Sequence, residues 1–272
     1  MKIREFEAQS LIETGYIVLS GYRSWYSIRA QDEFRDIVEC FGPELHRLCF
    51  MHEARPDGVY EPDDGFVNWV DEKTPLRKDM KRVFHYRPDL ASKIERVSLK
   101  NEFHTAILKL VGVCRELFLY HQSIVLELAA KIDACHVLPR SIHQALSEAQ
   151  QCPLPTSRSV LRLIQYQPYS LSERGKLHYD RSLLTLHAGD RGGWLYRLDR
   201  DGREVKISPW KNEILVFWGC KARAFECVGS PALEPLAHGS RCVPDGEREA
   251  VVSFWHSNEI LYDAPSVPYQ AR

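Results

Sequence analysis

One short run in this sequence has the residue types and spacing to do chemistry: His178-Tyr179-Asp180. On a strand, side chains two apart point to the same face. An imidazole and a carboxylate so placed can grip one ion. A second imidazole from a distant strand would complete a set of two histidines and one carboxylate. That set occupies one face of an octahedral iron and leaves positions open for substrate and dioxygen. His238, 58 residues after Asp180, is the candidate third ligand. Arg248 follows ten residues later at the start of an apolar run. Its planar fork suits a partly buried carboxylate. A keto acid chelating the metal at one end needs such a counter-charge at the other.

Each of these residues also has a plainer reading. With 11 His and 37 acidic residues in 272 positions, a His-x-acid triplet is expected by chance roughly once or twice. His178 and Asp180 could be an exposed strand pair. His238 could be a loop histidine, because Ala237-His238-Gly239-Ser240 looks like a turn. Arg248 could pair at the rim with Glu247 or Glu249. The spacing of all three together favours the metal reading.

Such residues need strands to position them, and the chain changes character near residue 152. Before it, apolar residues recur at helical steps through Leu99, Phe103, Ile107, Leu110, Cys114, Leu117, Ile124 and Leu128. That spacing predicts one long amphipathic helix over about 91–132. A shorter helix is predicted over 141–150, a strand over 15–20 and a helix over 31–40. Residues 53–72 are acidic and bear Pro and Gly, which predicts a long loop. Residues 152–157 make a stiff connector.

After the connector come short strands broken by turns: 160–166, 176–187, 193–198, 204–207, 214–218 and 248–256. Asp201-Gly202 marks a hairpin between two of them. Many short strands at close spacing predict a sandwich or jelly roll, not alternating βαβ units. The expected class is therefore α+β. A helical and mixed region spans 1–151 and a β core spans 152–272, together one compact unit.

Composition excludes some functions. The net charge of -1 offers no footprint for nucleic acid or an anionic membrane. No run of 18 uncharged apolar residues exists. The charged start, Met1 to Glu7, lacks a signal-peptide apolar stretch, so the cytoplasm is the expected compartment. The eight cysteines form no C-x-x-C pair, which favours buried free thiols over a zinc knuckle or disulfides.

The sequence from Val160 to His256 resembles a known family. Val160-Leu161-Arg162-Leu163-Ile164-Gln165-Tyr166 and His178-Tyr179-Asp180-Arg181-Ser182-Leu183-Leu184-Thr185-Leu186 are similar to the isopenicillin N synthase-like branch of the 2-oxoglutarate and Fe(II)-dependent oxygenases. The likeness continues through Gly192-Gly193-Trp194-Leu195-Tyr196 and Ile214-Leu215-Val216-Phe217-Trp218-Gly219 to His238 and Arg248. More loosely, Leu11 to Leu19 resembles the family's opening helix and strand, and Lys78 to Phe84 the helix before its long helix.

The resemblance implies a double-stranded β-helix core with N-terminal helices. It implies Fe(II) on His178, Asp180 and His238, and 2-oxoglutarate and dioxygen as cosubstrates. Arg248 and Tyr166 would meet the distal carboxylate of 2-oxoglutarate. The reaction would yield succinate and carbon dioxide while a small molecule is hydroxylated, desaturated or cyclised. Two departures stand out. Ala250 replaces the serine expected two residues after the arginine, and Gln167 separates Tyr166 from Pro168. An Fe(II) oxidase of the same fold without 2-oxoglutarate, its substrate carboxylate on Arg248, therefore stays open. So do a non-catalytic jelly-roll binding protein and a zinc hydrolase on the same residues. Arg162 or Arg181, if turned inward, would favour an anionic substrate. The sequence does not fix the oligomeric state.

Overall fold

The computed structural model describes residues 1–50, 64–67, 81–151, 159–166, 175–242 and 247–258. Among these, twelve strands form two antiparallel sheets. The larger has the order β1-β10-β7-β12-β5-β4-β3-β2. Its strands are β1 (Tyr16–Ser20), β2 (Cys49–Phe50), β3 (Asp64–Val67), β4 (Lys81–Tyr86), β5 (Val160–Tyr166), β7 (Leu184–Arg191), β10 (Glu213–Trp218) and β12 (Arg248–Trp255). The smaller has the order β6-β11-β8-β9, built from β6 (Gly175–His178), β8 (Gly193–Leu198), β9 (Glu204–Lys206) and β11 (His238–Cys242).

The large sheet is buried on both faces, so β5 and β10 read as near-continuous apolar runs and not as alternations. On its outer face Leu161, Leu163, Leu184, Leu186, Val216, Val251 and Trp255 join the main core. The helices that cover it are α1 (Glu5–Thr14), α2 (Trp25–Phe41), α3 (Leu90–Ile94), α4 (Asn101–Ala134) and α5 (Ile142–Gln151). On the inner face Leu215 and Phe217 of β10 pack with Leu195 of β8 and with Ile207. The two sheets thus face each other and remain open, as a jelly roll does.

Strands of the first half complete the large sheet: β1 pairs with β10, and β4 with β5. The helix-then-strand opening holds. α1 stops at Gly15, whose φ of 83° turns the chain directly into β1. Asp201 and Gly202 lie in the turn of the β8–β9 hairpin.

Several expectations are corrected. The helix over 91–132 is two helices, α3 and α4, broken between Ile94 and Asn101. Val97 and Leu99 pack on the core from this non-helical segment, so helical apolar spacing continued across a break. α2 begins at Trp25, six residues before the expected start. Its first turn carries the exposed Trp25 and Ile28, which hides the apolar stripe. Within the expected loop, Asp64–Val67 is a strand; the rest of 53–72 lies outside the described residues, as does the connector 152–157. Lys81–Tyr86 is a strand where a helix over 78–84 was expected. Val83 and His85 are buried on one side of β4, and Phe84 and Tyr86 on the other. That two-sided burial carries no alternation for a reader to find. The strand 176–187 is two strands, with 179–183 between them. His238 opens a strand where Ala237 to Ser240 looked like a turn.

The six cysteines whose side chains are described are free thiols. Among the described residues no helix is long and apolar enough to cross a membrane.

Where α4 meets the large sheet, His121 is fully buried. Its ring bonds the Tyr22 hydroxyl and the Ser253 hydroxyl, each at 2.9 Å. Burial pushes its pKa down to about 3, against about 6.5 in an unfolded chain. As pH falls, the unfolded chain takes up that proton first, so stability is lost from about pH 6.5 downward toward 3. The Tm should decline across that window, and His121→Gln should flatten part of the decline. A Tm independent of pH between about 4 and 6.5 would contradict a neutral buried ring.

Candidate metal centre

Strand pairing brings the two histidines together. His178 ends β6 and His238 begins β11, and the two sit opposite each other in the antiparallel register. Their rings lie 4.4 Å apart, centre to centre. Asp180 does not share a strand with His178, as first expected. It lies in the 179–183 segment, which a second segment clamps through main-chain bonds. Cys220 N donates to Asp180 O at 2.8 Å, Gly219 N to Leu183 O at 3.0 Å and Lys221 N to Ser182 O at 3.1 Å. Gly219 permits this approach, since a Cβ there would fall 2.2 Å from Ser182 O. The carboxylate is then fixed from β7: Thr185 donates its hydroxyl to Asp180 Oδ2 at 2.8 Å.

The three side chains converge. Asp180 Oδ1 lies 3.6 Å from His178 Nε2, and Oδ2 lies 3.9 Å from His238 Nε2. The three ligand atoms fall within 4.8 Å of one another. Donors on one small cation stand roughly 3–3.5 Å apart, so small side-chain movements close the set. His238 Nδ1 donates to Leu236 O at 3.1 Å, which leaves the Nε2 lone pair for a metal. Phe217 meets the same ring edge-on at 4.8 Å. Burial lowers the His238 pKa to about 4, against the opposing pull of Asp180, so the ring is neutral at pH 7. Burial pushes Asp180 up, but His238 and His178 outweigh it and hold the carboxyl well below its usual range. One ionised carboxylate and a neutral imidazole already aimed with it form a donor set that fits a divalent ion. His178 is half exposed and marks the mouth of the site, while Asp180 and His238 are buried.

Arg248 and Tyr166 face each other across the β12–β5 ladder. The guanidinium carbon lies 4.8 Å from the centre of the Tyr166 ring. Arg248 is buried, so the rim reading fails. Glu249 belongs to another network, bonding Arg35 twice at 2.8 Å, and Glu247 accepts from Gln165 at 3.2 Å. Ala250 is buried, and Ser253 bonds His121 and Trp255 on the helix side of the sheet. No hydroxyl at position 250 supports Arg248.

Instead Arg248 meets a carboxylate that sequence reasoning missed. Its Nε and Nη2 donate to Asp190 Oδ1 at 3.0 and 2.6 Å. Asp190 Oδ2 accepts from His187 Nε2 and from the Ser208 hydroxyl, each at 2.7 Å. Burial pushes Asp190 up, but His187 and Arg248 prevail and hold its carboxyl well below the usual range. Strand alternation would put residues 187 and 190 on opposite faces. A bulge prevents this: Val252 pairs with His187 and Ala250 with Asp190, so β7 has one extra residue. Gly189, at φ 88°, accommodates it. That glycine inside a strand was the available signal. The adjacent glycines have a use too, since a Cβ on Gly193 would fall 2.3 Å from Arg248 Cδ.

Of the two other arginines, Arg181 is exposed. Arg162 lies on the same face of β5 as Tyr166, donates from Nε to His85 Nε2 at 2.7 Å and covers the Phe254 ring at 4.7 Å. Trp218 and Trp255 are core residues, and Trp210 is exposed.

No family model matches the chain, and no curated protein matches it. Solved structures do. A protein from Caulobacter crescentus assigned to the 2OG-Fe(II) oxygenase family is 18% identical, with a TM-score of 0.61 over 93% of this chain and 83% of its own. The rice dioxygenase for auxin oxidation is 15% identical, with a TM-score of 0.61 over 93% and 76%. Its Arabidopsis thaliana counterpart, solved as a 2-oxoglutarate complex, is 14% identical, with a TM-score of 0.58 over 95% and 91%. The chain therefore shares the double-stranded β-helix fold of these oxygenases.

Two variants test the centre. Purified protein should carry about one iron-sized ion per chain by elemental analysis, and Asp180→Ala should carry almost none. Full occupancy in that variant would sink the three-residue set. Gly193→Ala should lower stability by about 1–3 kcal/mol through the clash with the Arg241 backbone oxygen and the Arg248 side chain, read as a lower denaturation midpoint. An unchanged midpoint would mean that the strand can move aside.

Proposed function

We propose that the chain is a non-haem Fe(II), 2-oxoglutarate-dependent dioxygenase that oxidises a small organic acid. The convergence of His178, Asp180 and His238 within 4.8 Å, in a fold that such enzymes use, carries this reading. In it those three residues hold the metal, and Arg248 with Tyr166 forms the distal end of the cosubstrate pocket. Residues 152–272 carry all of these groups, and 1–151 brace them as part of one unit. When bound, Fe(II) activates dioxygen, and decarboxylation of the oxo acid supplies the two electrons that substrate oxidation does not.

The chain's own residues do the positioning. Leu236 O fixes the His238 tautomer, and Thr185 fixes Asp180. The facing sheets exclude water, which strengthens every charge interaction between them. Along the inner face, Val67, Val83, Ile164, Ala250 and Val252 form an apolar patch. Arg248 stands at one end of that patch, by the β12–β5 register, and Arg162 at the other.

Arg162 carries the substrate class. Among the described residues no carboxylate lies within ion-pair distance of its guanidinium, whose hydrogen-bond partner is His85. A largely buried guanidinium with no described carboxylate at ion-pair distance, attracted only from farther off by Asp180, is costly, and its fork suits an incoming anion. The apolar patch beside it suits the rest of a small acid.

A second reading has its own support. Position 250 is Ala250, so the hydroxyl expected beside an oxo acid's distal carboxylate is missing. An Fe(II) oxidase of this fold that needs no oxo acid would show that feature.

Anaerobic reconstitution with Fe(II) should give a charge-transfer absorption only after 2-oxoglutarate is added, and turnover should release succinate. Product without succinate would establish the oxidase instead. In a screen of small organic acids and their methyl esters, the acids should stimulate succinate formation and the esters should not. Equal stimulation by the esters would remove Arg162 from substrate recognition.

A further inference from the structure

We infer that Asp190 sets the affinity and selectivity for the cosubstrate's distal carboxylate by occupying Arg248 before the cosubstrate arrives. The inference rests on the proposed use of a 2-oxo acid. It concerns how this chain's own residues meet that acid.

Asp190 Oδ1 takes hydrogens from both Nε and Nη2 of Arg248, one of the two edges by which a guanidinium binds a carboxylate. Both side chains are almost fully buried, at 1% and 3% exposure. A guanidinium so compensated offers an arriving carboxylate far less than an uncompensated one. Nor can Asp190 easily withdraw. His187 and Ser208 bond its other oxygen at 2.7 Å each, and Ser208 is itself tied to Leu195 N at 2.5 Å. If Arg248 is drawn toward a ligand, Asp190 stays behind as a like charge beside it, in a medium that screens poorly. The bulge at Gly189 is what aims Asp190 at Arg248. The arrangement is thus built into β7 and is not the swing of a flexible side chain.

Binding 2-oxoglutarate on that edge exchanges one ion pair for another, and on the other edge it meets a charge that Asp190 already offsets. A 2-oxo acid of the same length with a methyl group for the distal carboxylate, 2-oxopentanoate, escapes that exchange. Arg248 then discriminates weakly between the two. Neutralising position 190 restores discrimination, because the guanidinium charge is left for the ligand.

The test titrates the anaerobic Fe(II) protein with each acid. Both acids chelate the metal through the same end, so the charge-transfer absorption reports occupancy without turnover. In the natural chain the two dissociation constants should agree to within about tenfold. In Asp190→Asn, 2-oxoglutarate should bind at least about tenfold more tightly, and 2-oxopentanoate should change less than about twofold. A preference for 2-oxoglutarate above about a hundredfold in the natural chain would overturn the inference without any variant. Unchanged or weaker 2-oxoglutarate binding in Asp190→Asn would overturn it as well. Iron binding with no absorption from either acid would defeat the 2-oxo acid reading itself, and the inference with it. That outcome is distinct from tight 2-oxoglutarate binding that Asp190 supports.

Discussion

The candidate centre depends on the clamp between residues 179–183 and 219–221. A buried carboxylate is unfavourable unless something compensates it. Asp180 is compensated by two imidazoles and a hydroxyl, but only because its main chain is held where they can reach it. Three backbone bonds from Gly219, Cys220 and Lys221 do this. The bare Cα of Gly219 lets the two segments touch. The histidines need no such device, since antiparallel pairing of β6 and β11 sets them side by side. One ligand is thus delivered by a loop and two by a ladder.

The inner face of the large sheet follows a similar economy. Its middle is aliphatic, its two ends are cationic, and the candidate metal-ligand set lies off its β7 side through Thr185. The cation at the Arg248 end is already matched by Asp190, whereas Arg162 donates to the imidazole of His85. The two ends of one sheet face therefore differ in how strongly they can attract an anion, although each bears a single arginine.

Much of this was legible in the sequence. Residue type and spacing pointed to His178, Asp180, His238 and Arg248, because metal and carboxylate chemistry restricts the side chains that can serve. The apolar strands β5, β10 and β12 were found within about a residue of their ends, since burial on both faces leaves few other readings. What escaped were features that depend on non-local packing. β4 looked helical because its register against β5 is fixed by a partner more than 70 residues away. The break before α4 was hidden because Leu99, partly buried, packs on the core from a non-helical segment. Asp190 escaped because a bulge changes the period of β7, and the period is what a reader of strands relies on.

His178 is more than half exposed, while its two companions are enclosed. The core beneath them, formed by α4 and the outer face of the large sheet, is apolar and includes none of the three residues. Architecture and ion are therefore energetically separable, unlike small domains that collapse around zinc. An ion can enter or leave past one swinging imidazole while the scaffold stays intact. In the proposed enzyme, occupancy would follow the metal supply of the surroundings, and a chelator would remove the ion without unfolding the chain.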